Sequence, residues 1–132
     1  MKYRILTAYS LANQPLARAI ASKLADQGVV SEEDVMHVQN GLDAAVIAAN
    51  QNIPLLIVDN KRLPGLTGPE VAKRLEETAT HDYHVILTIG IPVDLDMLKH
   101  PERVTTVEKN SDLSARLVEV ARRHLQVNTN AR

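Results

Sequence analysis

The sequence predicts a doubly wound α/β domain: a five-stranded parallel sheet in the order 2-1-3-4-5, covered by five helices. Three observations lead there. Short apolar runs alternate with helical repeats along the chain. One of those runs, Leu55-Leu56-Ile57-Val58, is apolar at consecutive positions, as a strand covered on both faces must be. No internal repeat, low-complexity stretch or linker divides the 132 residues, a length that suits one domain.

The elements follow in order. Ile5–Ala8 reads as the first strand. Asn13-Gln14-Pro15 caps and opens a helix with Leu16, Ile20 and Leu24 at spacing four and Gly28 as its stop. Val35–Val38 is a short second strand, and Asn40-Gly41 turns into a helix carrying Leu42, Ala45, Val46 and Ala49. Leu55–Val58 is the third strand. Thr67-Gly68-Pro69-Glu70 has the form of a capping box, opening a helix with Val71 and Leu75 inward. Val85–Ile89 is the fourth strand, Asp94–Lys99 a short helix, and Val104–Val107 the fifth strand. Ser111-Asp112 caps a last helix with Leu113, Leu117, Val120, Ala121 and Leu125 along one stripe. Residues 1–127 form the domain, and 128–132 read as a polar tail. Strand order 2-1-3-4-5 is the flavodoxin-like arrangement, with its ligand edge at the carboxyl ends of the strands near the switch between strands 1 and 3. The side chains at that edge are Tyr9, Ser10, Asp59, Asn60, Thr88, Ile89, Lys109 and Asn110.

Composition narrows the function. Hydrophobic residues make up 45% of the chain, charged residues 23%, and the net charge is −1, with both signs interspersed. No basic or acidic surface for nucleic acid or membrane is implied. There is no cysteine, which excludes disulfides, thiol catalysis and thiolate metal sites. Neither a signal peptide nor a membrane-spanning run is readable, and a cytoplasmic setting is expected. With no Phe or Trp and three Tyr, the core is aliphatic, and stacking on single-stranded nucleic acid has little to work with. Glycine-rich nucleotide loops and the Gly-x-Ser-x-Gly hydrolase motif do not occur. The five histidines lack the spacing of a ligand set: His81 and His84 sit on a loop entering a strand, and Asp94, Asp96 and His100 do not share a helix face. No metal and no catalytic residue is therefore assigned. The basic pairs Lys61-Arg62, Lys73-Arg74 and Arg122-Arg123 read as solvated faces or as a partner patch.

Several pieces, taken in order, resemble a known family: Ile5-Leu6 with the turn after it, Asn40-Gly41, Pro64-Gly65-Leu66-Thr67-Gly68, Val85-Ile86-Leu87-Thr88 and Val107-Glu108-Lys109. Over roughly Lys2 to Leu125 the chain is similar to the receiver domains of two-component response regulators. In that family, two acids after strand 1 and an Asp ending strand 3 hold Mg²⁺. The Asp takes a phosphoryl group from a phosphohistidine, a Lys after strand 5 pairs its oxygens, and a Thr after strand 4 switches the surface.

The resemblance places Thr88 on the switching Thr and Lys109 on the phosphate-pairing Lys. Tyr9 and Ser10 fall where the acid pair stands, and no acid precedes Asp26. Counting back without gaps from Pro64-Gly65, the acceptor position falls on Asn60; a one-residue insertion in 60–63 would make it Asp59 instead. Ile89 replaces a small residue, Asn110 a proline, Thr106 an aromatic, and Thr67 an acid within the Pro-Gly loop. An amide cannot form an acyl phosphate, and one acid does not hold Mg²⁺. Lys109 would then donate to the Asn60 amide oxygen or to a backbone carbonyl. Asp59 reads as a strand-edge acid bonding a loop amide or an arginine, and Asn60 as a turn former.

The expectation is a degenerate, or pseudo-receiver, signalling domain that is not an enzyme and uses no cofactor. It would act by recognising a signalling protein or a histidine kinase, with a homodimer through helix 4, strand 5 and helix 5 as a further arrangement. Arg116, Glu119 and Arg123 are candidates on that face. Two other readings stand beside it. One is a working phosphoacceptor using Asp59 with Mg²⁺. The other is a flavodoxin-like domain binding a small anion at Lys109, Thr88 and the start of helix 3.

Overall fold

A computed structural model describes residues 3–60 and 63–130, with the side chains of 126–130 outside the description. Lys61-Arg62 and the end of the expected tail thus lie outside the described residues. Five parallel strands form one sheet: β1 (Ile5–Ala8), β2 (Val35–Val38), β3 (Leu55–Asp59), β4 (His84–Ile89) and β5 (Val104–Glu108), in the order β2-β1-β3-β4-β5. Among the described residues four α-helices cover it: α1 (Gln14–Asp26), α2 (Gly41–Gln51), α3 (Gly68–Thr78) and α4 (Leu113–Asn130).

The predicted helix at Asp94–Lys99 is absent. Side chains, not a helical ladder, satisfy this backbone. The Asp94 carboxylate accepts from the Asp96 N–H at 2.8 Å. The Glu76 carboxylate, projecting from α3, accepts from the Lys99 and His100 N–H groups at 3.1 and 2.6 Å. Side-chain acceptors of this kind compete directly with i→i−4 bonding.

The sheet separates two cores. On one face α1 and α4 cover Ile5, Leu55, Ile57, Ile86 and Val107; on the other α2 and α3 cover Leu6, Leu56, Val58, Val85 and Leu87. Strand residues alternate strictly between these faces. The face α2 turns inward is made of Gly41, Ala44, Ala45 and Ala48; Leu42 and Val46 are exposed. Small residues there let the helix lie close to the sheet. At Gly41 a Cβ would stand 2.0 Å from the Leu66 carbonyl oxygen, and the Gly41 N–H donates to the Pro64 carbonyl at 2.8 Å. This contact ties the start of α2 to the turn that launches α3. The turn itself uses Gly65 at φ +80°. Thr67 and Glu70 then complete the predicted capping box.

Candidate functional site

The site lies where β1, β3, β4 and β5 end. Register sets its membership. Ala8 pairs with Val58, which brings Tyr9 level with Asp59, and Asp59 pairs directly with Thr88. Tyr9 belongs to the core on the α1/α4 face, along with Ile5, Leu55, Ile57 and Ile86. By the two-residue period, Asp59 and Thr88 fall on that same face. Asn60, one residue on, falls on the other. Its side-chain oxygen lies 2.8 Å from where a Gly68 Cβ would stand, on the α3 side, and its N–H donates to the Thr88 carbonyl at 3.1 Å. Asp59 is therefore the side chain turned toward Lys109.

Both Asp59 oxygens are engaged, and the residue is fully buried. Oδ1 forms an ion pair with the Lys109 ammonium. Oδ2 accepts from Asn13 Nδ2 at 3.1 Å. Lys109 is anchored by its own N–H, which donates to the Ile89 carbonyl at 2.9 Å. The expected donation from Lys109 to the Asn60 amide is replaced by this ion pair with Asp59. Asn13 was predicted as a helix cap. It occupies the cap position of α1 without making a side-chain cap bond, and its amide nitrogen donates to Asp59.

Tyr9 is fully buried, and its hydroxyl bonds Thr88 Oγ1 at 2.9 Å. Burial drives the phenol well above its ordinary value. The Thr88 hydrogen bond opposes that shift, and the Asp59 charge adds to it. Tyr9 is thus a neutral phenol at any physiological pH. Gln14, at the start of α1, fixes the loop beneath it by donating from Nε2 to the Tyr9 carbonyl at 2.7 Å and the Val38 carbonyl at 3.1 Å. Ser10 lies in this loop, half-buried, and its carbonyl accepts from the Asn13 N–H at 2.9 Å.

Mg²⁺ demands several hard oxygen ligands, usually including carboxylates. The pocket offers one carboxylate, with both oxygens already taken by N–H donors, and one phenol held neutral. Among the described residues no three His, Cys, Asp or Glu are grouped so as to hold a metal ion. These side chains do not fit the ion. An anion fares little better: Lys109 already pairs with Asp59, and Thr88 with Tyr9.

The remaining candidates lie elsewhere. Arg116, Glu119 and Arg123 are exposed on α4, with Arg123 and Glu119 paired at 3.1 Å one turn apart. Ile89 is buried and Thr106 exposed beside it on the β4–β5 edge. Asn13 and Gln14 are the functional-site residues that sequence reasoning missed. Their only signal was position, since they occupy the turn following β1 at the ligand edge of the sheet.

No protein-family model matches the chain, and no curated protein does. Solved structures do. A two-component transcriptional regulator from Clostridium phytofermentans matches with a TM-score of 0.72 and 20% identity, covering 98% of both chains. The signal receiver domain of an HD domain-containing protein from Pseudomonas fluorescens matches with a TM-score of 0.72 and 18% identity, over 98% of this chain and 99% of that one. The receiver domain of a sensor histidine kinase from Pseudomonas aeruginosa, solved with magnesium in its active-site cleft, matches with a TM-score of 0.70 and 18% identity. It is covered over 99% of its length by 96% of this chain. The fold is that of receiver domains. No helix among the described residues is long and apolar enough to cross a membrane.

Proposed function

We propose that this chain is a receiver-like signalling domain read by a protein partner, with its pocket held in one state by internal bonds rather than switched by an aspartyl phosphate. One observation carries this reading: the carboxylate at the end of β3 is buried, and both its oxygens are satisfied by Lys109 and Asn13. An acyl phosphate needs an exposed carboxylate oxygen and a cation to neutralise the incoming phosphoryl group. Tyr9 and Ser10 supply no charge for that cation. Thr88, the residue that would sense a phosphate, is already bonded to Tyr9. The domain then works through its surface, in the manner of a cytoplasmic adaptor, without catalysis or cofactor. The exposed side of α4 with β5 is the proposed partner face, and a kinase or a second copy of the chain are candidate occupants.

A second reading has one specific observation in its favour. Asp59, not Asn60, faces Lys109 and pairs in register with Thr88. A nucleophile of the right type thus stands in the pocket, and a phosphoacceptor using Asp59 is the rival function.

Incubation with acetyl phosphate and Mg²⁺, followed by intact-mass measurement, separates the two. The proposal expects no phosphoryl adduct and no effect of Mg²⁺ on melting. An adduct present in the wild type and lost in Asp59→Ala establishes the rival.

A further inference from the structure

Resting on the reading just given, we infer that Asn13 is the positioning residue that takes the place of a divalent cation at Asp59, and that its amide is what makes the pocket cation-independent. A buried carboxylate needs compensation on both oxygens. Lys109 supplies a positive charge to Oδ1, and Asn13 Nδ2 supplies a neutral donor to Oδ2 at 3.1 Å. The first sets the charge balance. The second takes up the oxygen that Lys109 does not reach, the one a cation would otherwise have to compensate.

The loop is built to deliver this amide. Residues Leu11–Asn13 form a single 3₁₀ turn, closed by the Asn13 N–H on the Ser10 carbonyl at 2.9 Å. Gln14, the next residue, is bolted to Tyr9 and Val38 by its own side chain. Asn13 therefore points at β3 from a fixed base. Because it sits at the cap position of α1, an Asn there would ordinarily bond the first turn of its own helix. Here it forgoes that bond and reaches a carboxylate 46 residues away in sequence. An amide and a carboxylate are nearly isosteric but of opposite use. The amide nitrogen donates to Asp59, whereas an Asp at 13 would oppose it with like charge and invite a cation between the two.

This makes a gain-of-function test available. Mn²⁺ binding is measured by the paramagnetic relaxation of water protons on wild type, Asn13→Asp and Asn13→Asp/Asp59→Asn, with folding checked by circular dichroism. The wild type is expected to bind Mn²⁺ no more than a surface background. Asn13→Asp is expected to bind it at least tenfold tighter and to gain several degrees in melting temperature when MgCl₂ is added. The double variant is expected to lose both effects. Asn13→Asp binding no better than wild type overturns the inference, as does wild type binding as tightly as the variant. Asn13→Ala supplies an independent readout. Losing one hydrogen bond to a charged group should speed exchange of the amides of residues 13 and 14, the N–H groups that close this turn, by roughly tenfold over their intrinsic rates. Unchanged exchange rules out a clamping role. A wild-type phosphoryl adduct, by contrast, would overturn the function proposed above whatever the Mn²⁺ result.

Discussion

The Tyr9 hydroxyl reaches across the end of β3 to Thr88 Oγ1, 2.9 Å away, so β1 and β4 are joined over the strand that separates them. Both groups are fully buried. The bond lies on the same face as Asp59, and it closes the pocket from the side where α1 and α4 pack.

Deleting both hydroxyls should therefore cost less than the two single deletions added together. Tyr9→Phe leaves the Thr88 hydroxyl buried without its phenol partner, and Thr88→Val does the reverse. Each is expected to destabilise by about 1–2 kcal/mol. The double variant should fall well short of the sum, because its two losses share one bond. Urea denaturation of the four proteins measures the coupling. Additive losses would show that the bond contributes nothing.

The Asp59–Lys109 pair is the larger electrostatic commitment. Asp59 is fully buried while the Lys109 side chain keeps 22% of its exposure. Lys109→Met removes the cation from a buried carboxylate, and a loss of about 3 kcal/mol is expected. Asp59→Asn is milder, since the lysine can turn toward solvent. Combining them should recover part of the loss. Chemical denaturation is the measurement, and a Lys109→Met variant as stable as wild type would contradict the pairing.

How much of this was legible beforehand varies by the range of the interaction. The five strands were readable because each is a local aliphatic run, and the capping box at Thr67 and Glu70 because its partners are three residues apart. The helix expected at Asp94–Lys99 failed for the opposite reason: Glu76, which satisfies its backbone, is more than 20 residues away. The choice between Asp59 and Asn60 turned on parity. Counting back from Pro64-Gly65 pointed to Asn60, but the pairing of Asp59 with Thr88 decides which side chain shares a face with Tyr9. No local pattern contains that register. Asn13 was hidden because its sequence context fits a helix cap, and only the folded chain shows its amide spent on β3.

The contact between the two βα turns makes a sharp steric prediction. A Cβ at Gly41 would lie 2.0 Å from the Leu66 carbonyl oxygen and 2.7 Å from its carbon, both backbone atoms that cannot rotate away. Gly41→Ala should destabilise by about 3 kcal/mol, at the upper end of what overpacking costs. Gly28→Ala serves as its comparison: it meets nothing within 4 Å, and its cost, from φ +72° alone, should be about 1 kcal/mol. Thermal unfolding of both variants ranks them. Equal losses would mean that the turns can separate without penalty.

Acid should loosen the far end of the sheet through His84 and His124. Their rings stack with centroids 3.6 Å apart, joining β4 to α4, and His84 Nε2 bonds Thr105 Oγ1 at 2.7 Å on β5. Burial lowers His84 to about 4, with His124, Arg103 and Arg123 adding repulsion to its charged form. His124 is lowered as well, by burial and then Arg123. A folded value below the ordinary 6.5 means that the unfolded chain binds more protons between the two. Stability is therefore whole above about pH 7, falls as pH drops below 6.5, and levels off for this group near pH 4. The contribution of His84 is on the order of 2 kcal/mol after discounting for the solvent its ring still meets. His84→Gln keeps a donor for Thr105 and removes the titration. The difference in melting temperature between wild type and this variant, followed from pH 7.5 to 4, should swing toward the variant as the solution is acidified. A difference independent of pH would show that the stacked pair does not titrate with folding.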